Sequence, residues 1–272
     1  MVRVFQISVL IFTAVVLAGC NAAEKNEPIW KDIKIGDIAP SGGGRSSVAQ
    51  PLKTMNFGVY VFDIPAENLS KLDNVWQILD KSRASRLLKF NDSKAFSANS
   101  FSIGFGQVQT WNKVADLLHS AGGRKTETAS LLMPDVEAED FVVTKLYSER
   151  NIWYFSGDGL VVGATVGPGT LVLRIRAEKI PGSRGVCKVD VQPVLSSRIL
   201  SPAARLNPPT ESDGSPFTCV GFELKMSPGD FFLLGPEKYV SDQVSLAGLF
   251  FDKPGRKPVV RMFLFVCIMV SD

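Results

Sequence analysis

Val259-Val260-Arg261-Met262-Phe263-Leu264-Phe265-Val266-Cys267-Ile268-Met269-Val270 is the stretch that decides the fold. From Phe263 to Val270 the run is almost wholly apolar, as expected of a central strand with both flanks covered. A strand in contact with a membrane reads the same way, so the residues alone leave that alternative open.

Working back from this run, the chain from Thr126 onward is mostly β. Candidate strands are Thr128 to Met133, Phe141 to Tyr147, Asn151 to Ser156, Thr170 to Lys179, Gly185 to Leu195, Thr218 to Met226 and Asp230 to Leu234. Turns are marked by Gly157-Asp158-Gly159, Gly167-Pro168-Gly169, Pro181-Gly182, Pro228-Gly229 and Pro254-Gly255. So many strands need two faces to cover, which predicts an antiparallel β-sandwich or a partly closed β-barrel over 126–272. Ser201 to Pro216, rich in Pro, Ser and Asn, interrupts the strands as a long excursion.

Ahead of it, residues 55–125 read as a small α+β module. Phe57 to Phe62 is a strand that Pro65 ends. Leu69, Leu72, Val75, Trp76 and Leu79 recur at helical spacing and predict a helix from Ala66 to about Ser82. Leu87, Leu88 and Phe90 suggest a short strand, and Phe96 to Gln109 a longer one around Phe101, Ile103 and Phe105. A second helix from about Thr110 to Ser120 presents Trp111, Val114, Leu117 and Leu118, and Gly122-Gly123 stops it. The expected class is therefore α+β, with a small α/β-type module followed by the mainly β domain.

The first twenty residues have a different logic. Arg3 is the only charge before Glu24, and the apolar core to Leu17 is shorter than the ~20 residues that span a bilayer. Leu17-Ala18-Gly19-Cys20 closes that core. The stretch resembles the signal peptide of bacterial lipoproteins, which implies cleavage after residue 19 and lipid attachment at Cys20. An ordinary secretory peptide is the alternative. Asn21 stands where lipoproteins retained at the inner membrane often carry Asp, so in an organism with two membranes the resemblance implies the periplasmic face of the outer one. Residues 20–54 read as anchor and tether, with Trp30 and Ile33 marking a short docking segment and the run Ser41-Gly42-Gly43-Gly44-Arg45-Ser46-Ser47 holding little apolar area to offset ordering.

A second resemblance lies in the β region. Lys188 to Val194, Phe222 to Met226, Pro228-Gly229-Asp230-Phe231-Phe232-Leu233-Leu234-Gly235 and Arg261 to Val266 resemble the strand-and-turn rhythm of bacterial secretin proteins near their C-terminal part. This chain lacks the series of long alternating hairpins that line a large pore. The resemblance thus implies a soluble β domain that docks onto envelope machinery without forming its channel.

Chemistry-bearing residues are sparse. The mature body holds Cys187, Cys219 and Cys267. Cys187 and Cys219, both in predicted strands, are a candidate disulfide pair in an oxidising envelope, worth on the order of 3 kcal/mol. Cys267, between Val266 and Ile268, reads as a buried small hydrophobe. The spacing has no short Cys pair for zinc, and His119, the only histidine, suits the end of its helix. Neither His-Glu-x-x-His nor Gly-x-Ser-x-Gly occurs. Glycines 157, 159, 163, 167 and 169 lack the Lys-Ser or Lys-Thr of a phosphate loop and read as turns and tight corners. The acidic cluster Asp135, Glu137, Glu139 and Asp140 reads as a solvated connection, with calcium the alternative. Asp63 with Glu67, or Asp158 with Asp230, are candidate acid/base pairs.

The net charge of +3 is too small to predict nucleic-acid binding, and the basic residues form no stripe with aromatic partners. No cofactor or catalytic residue is expected. The sequence points to a lipid-anchored, noncatalytic protein of the cell envelope that scaffolds or docks onto a larger assembly, with an envelope protein or a second copy as partner. Two alternatives stay open: an envelope hydrolase acting on cell-wall polymer or glycan, and a hydrophobic-ligand-binding lipoprotein.

Overall fold

The computed structural model describes residues 53–79, 87–196, 214–239, 244–253 and 255–271. All of them fall within one compact unit, Lys34–Asp272. The expected signal peptide over 1–19, Cys20, and the tether apart from Lys53 and Thr54 lie outside the described residues, as does most of the Ser201 to Pro216 excursion.

Strand β1 (Thr54–Pro65) runs into a 3-10 turn (Ala66–Leu72) and helix α1 (Asp73–Leu79). Then come β2 (Leu88–Phe90), α2 (Ser93–Ala98), β3 (Phe101–Gln107) and α3 (Val108–Ser120). The strands β4 (Arg124–Pro134), β5 (Ala138–Leu146), β6 (Arg150–Phe155), β7 (Val161–Val166), β8 (Gly169–Lys179) and β9 (Cys187–Ser196) follow. The last group is β10 (Ser215–Pro216), β11 (Phe222–Met226), β12 (Asp230–Pro236), α4 (Leu246–Phe251), β13 (Asp252–Lys253) and β14 (Val259–Val270).

Two six-stranded antiparallel sheets form the body. Sheet 1 has the order β3-β12-β14-β1-β4, with β13 on β14; sheet 2 has the order β2-β11-β9-β8-β5, with β10 on β9. β14 sits in the middle of sheet 1, between β12 and β1, as its apolar run requires. Its alternate residues serve two layers. Phe263 and Phe265 face sheet 2, where both meet Phe141 edge-on at 5.8 and 5.9 Å, and Phe265 stacks on Phe232 at 4.7 Å. Phe232 in turn meets Phe222 of sheet 2 at 5.7 Å, so phenyl rings fill the space between the sheets.

The other face of sheet 1 carries α1 and α3. Trp111 of α3 packs on Phe231 at 5.7 Å and on Phe62 at 6.5 Å, and Val114, Ala115 and Leu118 are buried beside it. Helix α3 ends as its glycines predict: Gly122, at φ +77°, donates to the His119 carbonyl, and Gly123 donates to that of Leu118. The result is three layers, α1 and α3 on sheet 1 on sheet 2, in the α+β class, while Phe96 of α2 and Phe251 of α4 meet Phe101 on the inner face of sheet 1. Of the two expected forms for the β region the sheets adopt the sandwich; among the described residues none closes into a barrel.

Three expectations change. The boundary expected between 55–125 and 126–272 is crossed by both sheets, since β1 and β3 pair with β4, β12 and β14, and β2 pairs with β11. Neither half could cover its own sheet without the other. The helix expected over 66–82 begins as a 3-10 turn and becomes α-helical only at Asp73. The strand expected from Phe96 starts at Phe101, because the Asp92 side chain accepts from Ala95 N at 2.9 Å and caps α2 first.

Candidate functional site

The hairpin β6–β7 stands outside both six-stranded sheets as a two-stranded sheet of its own. Its register runs from Arg150 opposite Val166 to Phe155 opposite Val161. Ser156 N donates to the Leu160 carbonyl at 2.8 Å and closes the Gly157-Asp158-Gly159 turn.

One edge of the hairpin is tied down. Trp153 N donates to the Val244 carbonyl at 3.1 Å, with a parallel bridge to Ser245. The amide of Asn99, only 4% exposed, acts as a one-residue strand for Phe155. Its Oδ1 accepts from Phe155 N at 2.9 Å, and its Nδ2 donates to the Phe155 carbonyl and to that of Ala95, both at 2.8 Å. Ile152 is fully buried and Tyr154 meets Phe217 edge-on at 5.9 Å, so the inner face is anchored as well.

The other edge is open. Among the described residues β7 pairs only with β6. Val161-Val162-Gly163-Ala164-Thr165-Val166 carries no charge. The edge strand β4 of sheet 1 differs, for it bears Arg124, Lys125 and Glu127. Charge on an edge discourages pairing with another chain, whereas an uncharged β-branched edge invites it.

Apolar side chains surround that edge. Trp153 is 65% exposed, Leu160 65% and Val161 56%. The indole lies across Gly163: a Cβ there would come within 2.9 Å of Trp153 Cζ3. Glycine is required at 163 for this close approach. On the same exposed face Thr165 Oγ1 and Asn151 Oδ1 share a hydrogen bond of 2.8 Å.

A cleft of about 660 Å³ lies on the outer face of sheet 2, with Arg174, Arg176, Lys188, Asp190 and Gln192 along its wall. The register sets Arg176 opposite Asp190 and Asp190 opposite Glu223. Burial, then the Glu223 charge, pushes the Asp190 carboxyl above its ordinary value. Lys188 is also raised, first by its hydrogen bond to Glu178 and then by the Glu223 charge. Arg174 grips Asp140 through Nε–Oδ1 at 2.8 Å and Nη2–Oδ2 at 3.0 Å, with both side chains largely buried.

Several of the residues singled out by sequence have structural duties. Asp135 Oδ1 accepts from Lys179 N at 2.8 Å and Asp140 pairs with Arg174, so the acidic cluster is divided among different partners. No group of residues able to hold a metal ion occurs among the described residues. Asp63 lies 3.0 Å from Lys253 Nζ and 4.0 Å from Arg261 Nε. Asp230 accepts from Gln107 Nε2 at 2.9 Å and Ser227 N at 2.8 Å, locking a turn.

The cysteines also fall differently from expectation. Cys187, Cys219 and Cys267 are free and buried. Cys187 stands opposite Met226 at one end of β11, while Cys219 precedes Phe222 at the other end. The length of β11 alone, roughly 13 Å at strand rise, exceeds the reach of a disulfide. The structure therefore does not bring this candidate pair together. Cys219 sits 3.9 Å from Asn99 Nδ2, and burial raises its thiol.

Sequence reading missed the open edge itself. The glycines at 157, 159, 163, 167 and 169 drew Val161–Val166 into a series of turns. The signal that finds it is a β-branched run facing Asn151–Phe155 across a Gly-Asp-Gly turn.

What the fold and site define is a layered α+β sandwich presenting an uncharged, solvent-facing strand edge. No protein-family model matches the chain, and no curated protein matches it. Among solved structures it is similar to the InvG secretin domain β-barrel from the Salmonella SPI-1 injectisome NC-base, at 9% identity and a TM-score of 0.20. The match covers 81% of this chain and 64% of that one, and a TM-score this low does not indicate a shared fold.

Proposed function

We propose that this chain is a lipid-anchored, noncatalytic protein of the cell envelope that docks onto a larger assembly by adding a partner's extended segment to β7. The observation that carries the docking mode is the open, uncharged β7 edge beside exposed Trp153 and Val161. Backbone N–H and C=O groups would give affinity, and the indole would grip an apolar side chain of the incoming strand. The anchor rests on Leu17-Ala18-Gly19-Cys20, with the tether giving the sandwich reach from the periplasmic face of an outer membrane.

Photo-crosslinking in the native cells tests the reading. A crosslinker at Val162 or Ala164 is expected to capture an envelope protein, and one at Thr128 on β4 to capture none. Equal yields from both edges would overturn the β7 assignment. Retention of Cys20→Ser in the membrane, without a lipid-dependent mass difference from the native chain, would sink the anchor.

A hydrolytic role on cell-wall polymer or glycan is the second reading, and Asp190, held toward its protonated form at the cleft, is what favours it. Release of soluble fragments from purified cell wall, lost in Asp190→Asn, would move the function to the cleft.

A further inference from the structure

We propose that Cys187 and Cys267 are joined by a disulfide that staples sheet 1 to sheet 2 once the chain is oxidised. Cys187 opens β9 in sheet 2 and Cys267 lies in β14 of sheet 1. Cys267 shares its face of β14 with Phe263 and Phe265, the residues that point between the sheets. Cys187 lies opposite Met226 and its thiol donates to the Met226 carbonyl at 3.6 Å.

The chain crosses from sheet 2 to sheet 1 at this very place. Met226 ends β11, Ser227-Pro228-Gly229 turns with Gly229 at φ +87°, and Gly229 N donates to the Cys267 carbonyl at 2.8 Å. The corner brings the two cysteines face to face across the core. The neighbouring Cys187 thiol, together with burial, holds the Cys267 thiol well above the ordinary range. Both are fully buried, so exchange begins during folding or through a local opening of the corner.

The chemistry balances with a soluble disulfide as oxidant. One cysteine thiolate attacks it and releases one small thiol; the second thiolate then displaces the other small thiol from the mixed disulfide. Two electrons and two protons pass from the cysteine pair to the reagent, and one S–S bond forms as another breaks. The closed loop would run from residue 187 to residue 267, long enough for a large constraint on the unfolded chain. This inference is independent of the docking reading, because it depends on neither β7 nor the anchor.

The test incubates the full chain with oxidised glutathione, then denatures it in an alkylating reagent and maps its peptides. The expected result is a linked pair containing Cys187 and Cys267, with Cys219 alkylated. Thermal unfolding should then show a Tm lower by roughly 10 °C after reduction. The shift is expected to persist in Cys219→Ala and to vanish in the double variant Cys187→Ala, Cys267→Ala, whose fold is checked by circular dichroism. Free Cys187 and Cys267 after oxidation, or a Cys187–Cys219 link, would overturn the bridge. A linked pair whose reduction leaves Tm unchanged would overturn the staple.

Discussion

Asn99 does the work of a strand with one side chain. It satisfies both backbone groups of Phe155 and reaches back to Ala95, so its removal leaves an N–H and a C=O of β6 without their partner. Asn99→Ala is expected to cost about 1–3 kcal/mol, and hydrogen exchange should quicken at Phe155 before it does in β14. Asp252 is a second residue with a measurable signature. Burial raises its carboxyl from 3.8 to about 6, so the folded state holds its proton more tightly than the unfolded chain does. Its contribution is fully present below pH 3.8 and is lost as pH rises through about 6. Denaturant titrations should show this component of stability falling across that window, and Asp252→Asn should remove it. Little of this was legible in the sequence, because Asn99 and Asp252 are ordinary polar residues until distant backbone surrounds them.

Elements divide more evenly. β14 and β1 could be read from their apolar runs, and α3 from its 3.6-residue spacing and glycine stop, because burial pattern dictates those elements. α2 was hidden, since Phe96 fits a strand until Asp92 caps a helix. β7 was hidden by glycine: Gly163 reads as a turn residue, yet its missing side chain makes room for an indole from the next strand. Two predictions belong to this hairpin. Val161→Lys places a charge on an exposed edge, so stability should change by no more than about 0.5 kcal/mol while partner capture is lost. Gly163→Val should push Trp153 off the strand, seen as a shift of the indole N–H resonance, and weaken capture in the same way. Unchanged capture in both variants would remove the hairpin from the interface.

At the scale of the molecule, phenyl packing joins the two layers of sheet, while a shielded ion pair ties β5 to β8 within sheet 2. Arg174 holds Asp140 with both groups largely shielded from water, so Arg174→Ala leaves a carboxylate stranded. A loss of about 3 kcal/mol is expected in chemical denaturation, with partial recovery in the double variant Arg174→Ala, Asp140→Ala. The layered class was legible from strand number and helix spacing. The merging of 55–125 with the later strands was not, because pairing between β1 and β14 leaves no trace in local pattern.

That pairing bears on how the molecule comes into being. Among the described residues β14 is the one strand in sheet 1 that links the β1–β4 pair to the β12–β3 pair. Until Val259 to Val270 is made, the two half-sheets with their Phe-rich faces lack the strand that pairs with both. Long-range pairings of this kind fold slowly and leave sticky surface exposed meanwhile. Sheet 1 is therefore completed only when its twelve-residue keystone emerges.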